Sequence, residues 1–202
     1  MYNNTVYKFS HKEGFVLSYI NEKLIEYKKY INEKNVSVIG IGISNIPLIS
    51  FLLDCGAKVF ARDSKDFETL CKSPGLDVNA LCDRGVVFVT GENYLSGLTQ
   101  DIIFKSPGIR YDVPEIEEAV KHGAVLTSEM EAFLSLCPSK IIAITGSDGK
   151  TTTTTLTAKI LEAQGYKVHL GGNIGKPLLS EIESITDKDF TVLELSSFQL
   201  HT

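Results

Sequence analysis

The segment Thr145-Gly146-Ser147-Asp148-Gly149-Lys150-Thr151-Thr152 places two glycines, a lysine and several hydroxyls in one short stretch. Glycines let backbone N–H groups turn inward around anionic oxygens, and a following helix N-terminus adds a favourable field. Lys150 can reach β- and γ-phosphates as a point charge. The Thr151 hydroxyl can ligate Mg²⁺, an ion that keeps several waters and takes few protein ligands. The general phosphate-loop pattern has a further glycine where this chain has Ile144. A strand–turn–helix with a chance Gly-Lys-Thr is therefore the plain alternative. Thr153, Thr154 and Thr155 read as helix-surface and packing residues.

Two other places carry chemistry. Glu194 lies in the apolar run Phe190 to Leu195. A carboxylate there is costly unless it faces a cleft, a cation or water, and strand C-termini are where α/β sites lie. That favours a metal role. Gly40-Ile41-Gly42-Ile43-Ser44-Asn45 resembles a dinucleotide fingerprint with Asn45 in place of the third glycine. Asp63 closes the next strand about 20 residues on, where such folds hold a ribose. A tight turn that merely packs a helix on a sheet is the competing reading.

These residues need strand ends and helix starts to hold them. From residue 36, short apolar runs alternate with helical segments. Strands are predicted at Val36 to Ile41, Lys58 to Ala61, Val86 to Val89, Ile102 to Phe104 and Ala124 to Leu126. Helices are predicted up to Leu53 and over Val113 to Lys121. This alternation predicts an α/β fold with a Rossmann-like parallel sheet. Ser128 and Glu131 form a capping box at a new helix start, so a boundary falls near Thr127. Lys140 to Thr145, Val168 to Leu170 and Thr191 to Leu195 then read as strands of a second, phosphate-loop α/β unit. The expected organisation is a helical extension over 1–35, a first domain over 36–127, and a partial second domain over 128–202. Phe15, Val16, Tyr19, Ile20, Leu24, Tyr27 and Ile31 recur at helical spacing and predict an amphipathic helix over about 12–33, packed on the body.

Composition narrows the classes. The 20 basic and 25 acidic residues form no basic stripe, so no nucleic-acid partner is expected. No apolar stretch approaches the ~20 residues of a membrane span, and no charged start precedes an apolar run, so neither membrane insertion nor a signal peptide is expected. Cys55, Cys71, Cys82 and Cys137 form no C-x-x-C pair, which fits reduced thiols in a cytoplasmic protein.

Taken together, the residues resemble the Mur ligase family. The carrying segments are Ser106-Pro107-Gly108-Ile109, Ile144 to Thr152, Gly171-Gly172-Asn173-Ile174-Gly175 and Leu193-Glu194-Leu195-Ser196-Ser197-Phe198-Gln199-Leu200. The last is the most specific, because sister ligases adding other amino acids differ after that glutamate. The resemblance implies a uridine-nucleotide domain, a central ATPase domain and a C-terminal domain. It also implies ATP-driven amide formation between UDP-N-acetylmuramoyl-L-alanine and D-glutamate in peptidoglycan synthesis; a monomer is expected. Ser44, Asn45, Asp63, Ser64, Lys65 and Ser106 would border the UDP substrate, with Lys65 where the family usually has Arg. Gly146, Ser147, Asp148, Gly149, Lys150, Thr151 and Thr152 would bind ATP, and Thr151 and Glu194 would hold Mg²⁺. Lys150, Asn173 and Glu194 would be the catalytic set. The family's metal-site His, its carbamylated Lys and the D-glutamate-binding domain are expected beyond Thr202. The chain alone is then expected to be inactive, with Phe190 to Leu195 an exposed edge strand.

Other readings remain beside this one. They are a different Mur-family ligase, a folylpolyglutamate synthase, a nicotinamide oxidoreductase and a non-catalytic nucleotide-binding module. The Leu195 to Leu200 segment and a separate uridine domain argue against the folate enzyme. The incomplete glycine fingerprint and the phosphate loop argue against the oxidoreductase.

Overall fold

The computed structural model describes residues 5–8, 16–42 and 45–200. Two short strands, β1 (Thr5–Lys8) and β2 (Val16–Tyr19), pair antiparallel ahead of α1 (Glu22–Ile31). The helix predicted from about residue 12 thus begins ten residues later. Val16, Leu17 and Tyr19 fit either period over so short a span. The start is set by Asn21, whose Oδ1 accepts from the Leu24 amide at 3.1 Å. Asn21 also donates Nδ2 to the Leu136 carbonyl at 2.8 Å. Leu24 and Ile31 are buried, and Tyr27 stacks on Phe51, so α1 is part of the body.

The first sheet contains β3 (Asn35–Ile39), β4 (Lys58–Asp63), β5 (Val87–Thr90), β6 (Ile102–Lys105) and β7 (Val125–Thr127). All pairs are parallel, in the order β5-β4-β3-β6-β7. The chain starts in the middle, winds to one edge, then returns to fill the other, which is the doubly wound order. The apolar runs of β3 and β6 are buried on both faces, as helix-covered parallel strands must be. The helices are α2 (Asn45–Asp54), α3 (Phe67–Cys71), α4 (Val78–Asp83) and α5 (Pro114–Lys121). The two short ones, α3 and α4, escape a period count. Each is started by an aspartate, Asp66 accepting from Thr69 N at 2.7 Å and Asp77 from Ala80 N at 3.0 Å.

Helix α6 (Glu129–Leu136) leads to the second sheet and is capped by Ser128, whose Oγ accepts from Glu131 N at 3.2 Å. Glu131 does not close the box on Ser128; its Oε2 accepts from Thr127 Oγ1 at 3.2 Å. The second sheet is β8 (Lys140–Ile144), β9 (Val168–Gly172) and β10 (Phe190–Glu194), parallel, in the order β8-β10-β9. Helix α7 (Lys150–Ala163) follows β8, and the short α8 (Ser197–Leu200) follows β10. Phe190 to Leu195 was expected at an edge. Instead β10 lies between β8 and β9, both faces of its ladder are paired, and Val192 and Leu193 are fully buried. A 3₁₀ turn, Leu179–Ser184, joins the halves: Leu178, Leu179 and Ile182 share one core with α2 and α6. The Leu179 amide donates to Glu129 Oε1 at 2.9 Å.

The cysteines are free thiols, Cys55 and Cys137 buried and Cys71 and Cys82 exposed. Burial pushes the Cys55 thiol up to about 11, well away from reactivity. Among the described residues no helix is long and apolar enough to cross a membrane.

Candidate functional site

In a doubly wound sheet the crevice opens where the winding reverses, here at the C-terminal ends of β3 and β6. The Gly40 turn lies there with φ of 87°, and a Cβ at that position would sit 2.4 Å from Ser106 Oγ. Ser106 Oγ lies 3.0 Å from the Ile39 carbonyl and 3.1 Å from the Gly40 carbonyl. Asn45, at the start of α2, donates Nδ2 to the Gly40 carbonyl at 2.7 Å and to Ser106 Oγ at 2.9 Å. Its side chain thus closes the turn where the fingerprint would have a glycine. Asp63 accepts from Ile41 N on Oδ2 at 2.7 Å and from Lys65 N on Oδ1 at 2.9 Å. Any ligand contact by Asp63 must use the remaining lone pairs. Ser64 and Lys65 are exposed beside it. Ser44 lies outside the described residues.

The second strand-end cluster is built differently. Glu194 is only 2% exposed, yet it ends β10 beside the start of α7. Its Oε2 accepts from Thr151 Oγ1 at 2.7 Å and its Oε1 from Asn173 Nδ2 at 2.9 Å. The Asn173 and Thr151 hydrogen bonds hold its carboxyl below the usual carboxylate range; burial works the other way, and nearby Lys150 assists the lowering. Gly172, with φ of 95°, lets β9 pass so close that a Cβ would lie 2.1 Å from the Glu194 carbonyl oxygen. That approach is what brings Asn173 within reach, its own amide donating to the same carbonyl at 2.7 Å. Lys150 Nζ donates to the Gly146 and Ser147 carbonyls at 2.8 and 3.0 Å, folding over the loop. Ser147, Asp148, Gly149, Thr151 and Thr152 are exposed around it.

Thr151 and Glu194 offer a hydroxyl and a carboxylate, both hard oxygen donors, which suits Mg²⁺ completed by water and phosphate oxygens. Among the described residues no group of three His, Cys, Asp or Glu side chains could hold a metal. A soft or all-protein metal cage is therefore not what these residues form.

A cleft of about 780 Å³ runs between the two clusters, lined by Lys105, the 107–112 loop, Asn173 and Ser196. Sequence reasoning passed over Lys105, although the signal matches the one at Glu194: a charge closing an apolar strand. It also passed over Arg62, buried on β4. Arg62 is structural, its guanidinium donating to Ser37 Oγ, Gln100 Oε1 and the carbonyls of Tyr94, Ser96 and Gly97.

A doubly wound sheet followed by a second parallel sheet, whose first strand runs through a Gly-containing turn into a helix, defines a tandem α/β protein with two strand-end clusters facing one cleft. The family described as Mur ligase MurD-like, N-terminal domain, matches residues 34–128, and the Mur ligase middle domain matches 144–202. The UDP-N-acetylmuramoylalanine–D-glutamate ligase of Acetivibrio thermocellus is 53% identical over 188 residues, covering 91% of this chain and 39% of that enzyme. The ligase of the same description from Clostridium beijerinckii is 53% identical over 178 residues, covering 88% and 38%. Among solved structures, UDP-N-acetylmuramate–alanine ligase MurC from Thermotoga maritima superposes with a TM-score of 0.46 at 23% identity, covering 81% of this chain and 37% of that one. The chain belongs to the Mur ligase family. It spans about two fifths of the length of the curated relatives it matches.

Proposed function

We propose that the protein is an ATP-dependent, ADP-forming ligase that joins D-glutamate to UDP-N-acetylmuramoyl-L-alanine in cytoplasmic peptidoglycan synthesis. The observation that carries this reading is the Thr151–Glu194–Asn173 cluster at the head of the phosphate-loop helix, facing a cleft shared with the first sheet's switch point. The substrate's alanyl carboxylate attacks the γ-phosphorus of ATP and ADP leaves, giving an acyl phosphate. The D-glutamate amine then attacks the acyl carbon, loses a proton, and phosphate departs.

A carboxylate approaching a triphosphate is repelled, so the site must supply positive charge and alignment. Lys150 is read in this role: its ammonium folds over the loop onto the Gly146 and Ser147 carbonyls, contacts it can give up for phosphate oxygens. Mg²⁺, when bound, would neutralise charge on the phosphates. Thr151 and Glu194 are the residues that would hold it. Asn173 orients Glu194 and keeps it ionised, so it is a positioning residue for that carboxylate. On the first sheet, Asn45, Asp63 and Ser106 shape the turn that approaches the UDP group. Ser44, Ser64 and Lys65 are the groups offered to it, and Lys65 offers a point charge rather than an arginine fork. The ligase is read as a monomer.

The test is phosphate release by the full-length gene product with ATP, Mg²⁺ and UDP-N-acetylmuramoyl-L-alanine, with and without D-glutamate. Release that depends on D-glutamate and not on other amino acids is expected. Equal stimulation by another amino acid would reassign the specificity. No release, with nucleotide binding retained, would leave a non-catalytic binding module.

A further inference from the structure

Lys105 is the last residue of β6 and pairs in register with Ile39, at the point where the sheet's winding reverses. Its side chain lines the cleft, and only 5% of the residue is exposed. Among the described residues, no acceptor lies within hydrogen-bonding distance of its ammonium and no carboxylate pairs with it. The other charged residues lining the cleft, Arg110 and Asp112, pair with each other. The stem is covered while the ammonium opens into the cleft with no anion beside it, so its charge is presented to whatever enters. Two neighbours on the same strand level show what a settled residue looks like here. Arg62, aligned with Ile39 from the other side, has five acceptors, and Asp63 has two amides.

Resting on the ligase reading above, we propose that Lys105 is an anion-binding residue for the UDP-linked substrate, its ammonium completed by an anionic oxygen of the ligand entering the cleft. Two oxygens of that ligand share the required chemistry: a diphosphate oxygen and the alanyl carboxylate. The switch-point position favours the diphosphate.

The experiment is calorimetry on the full chain with UDP and with UDP-N-acetylmuramoyl-L-alanine, alongside thermal melts without ligand. Lys105→Met keeps the methylene volume and removes the charge. Lys121→Met, on the exposed face of α5, controls for loss of one surface charge. The expected result is a 10- to 100-fold weaker affinity in Lys105→Met, the range for a hydrogen bond to a charged group, with an unchanged melting temperature. Loss with both ligands assigns the ammonium to the diphosphate. Loss with the muramoyl ligand alone assigns it to the carboxylate. Unchanged affinity, or a fall in affinity matched by a fall in stability, overturns the assignment and leaves the ligase reading standing. No binding of either ligand to wild type overturns both.

Discussion

The two strand-end clusters contain similar residue types and are wired in opposite ways. At the end of the first sheet, Asp63 and Asn45 are tied largely to backbone: amides of Ile41 and Lys65, the carbonyl of Gly40. At the end of the second sheet, Glu194 is held by two side chains, a hydroxyl and a carboxamide. Backbone partners cannot leave without unmaking the turn, whereas side-chain partners can rotate away and leave the carboxylate free for another partner. A polar residue at a strand end is therefore architecture when its partners are peptide groups, and a poised site when they are side chains. The packing follows the same division. The β3 and β6 runs are buried on both faces, while β8 shows Ile141 and α7 shows Leu156 and Ile160 to the outside.

The sharpest way to break the second cluster is from beneath. Gly172→Ala adds a left-handed backbone penalty and a clash with peptide oxygen, together about 3 kcal/mol or more. Chemical denaturation should show this loss. Gly40→Ala should lose less, since its clash is with the movable Ser106 hydroxyl. An equal loss at both would deny that the second approach is the tighter.

Next in size is Lys150→Ala. Ligation should fall on the order of 10²-fold, the effect of removing one electrostatic donor aimed at the transition state, with UDP-substrate affinity unchanged. A variant that keeps most of its turnover would remove Lys150 from the chemistry.

Asp63→Asn tests the architectural claim. The amide has one acceptor oxygen for two N–H donors, so one buried donor is orphaned, at a cost of about 2 kcal/mol in unfolding free energy. Nucleotide affinity measured on the protein that remains folded should change less than stability does. The reverse ranking would make Asp63 a ligand group first.

The smallest effect lies between the two units. Burial raises the Glu129 carboxyl above its usual range, with the Leu179 amide opposing. A raised folded-state value means that the stabilising contribution is full below the ordinary glutamate range and is lost as pH rises through the folded value. Glu129→Gln keeps an acceptor for Leu179 and removes that titration. Its stability advantage over wild type should grow as pH rises from about 4.5 toward neutrality in pH-dependent melts. An advantage that shrinks over that range would contradict the burial argument.

Much of this was readable before any coordinates. Apolar runs with β-branched residues, punctuated by Gly and Pro, located the parallel strands, because buried parallel strands need continuous apolar faces. The Gly-Lys-Thr turn and the charge at Glu194 announced the second cluster, because both residue types are costly in their local context otherwise. The short helices α3 and α4 and the start of α1 were not readable, since one side-chain cap decides each and too few turns follow to show a period. Strand order was not readable either. Nothing in the run Phe190 to Leu195 says whether its ladder is paired on one side or two; that depends on where β8 and β9 land. Partnering is the last thing decided by tertiary structure. The sequence places Asp63, Lys105 and Glu194 alike, as charges closing buried strands. Only the folded chain brings two amides to the first, two side chains to the third, and no partner among the described residues to Lys105, because hydrogen bonds are closed by segments as far as 43 residues away.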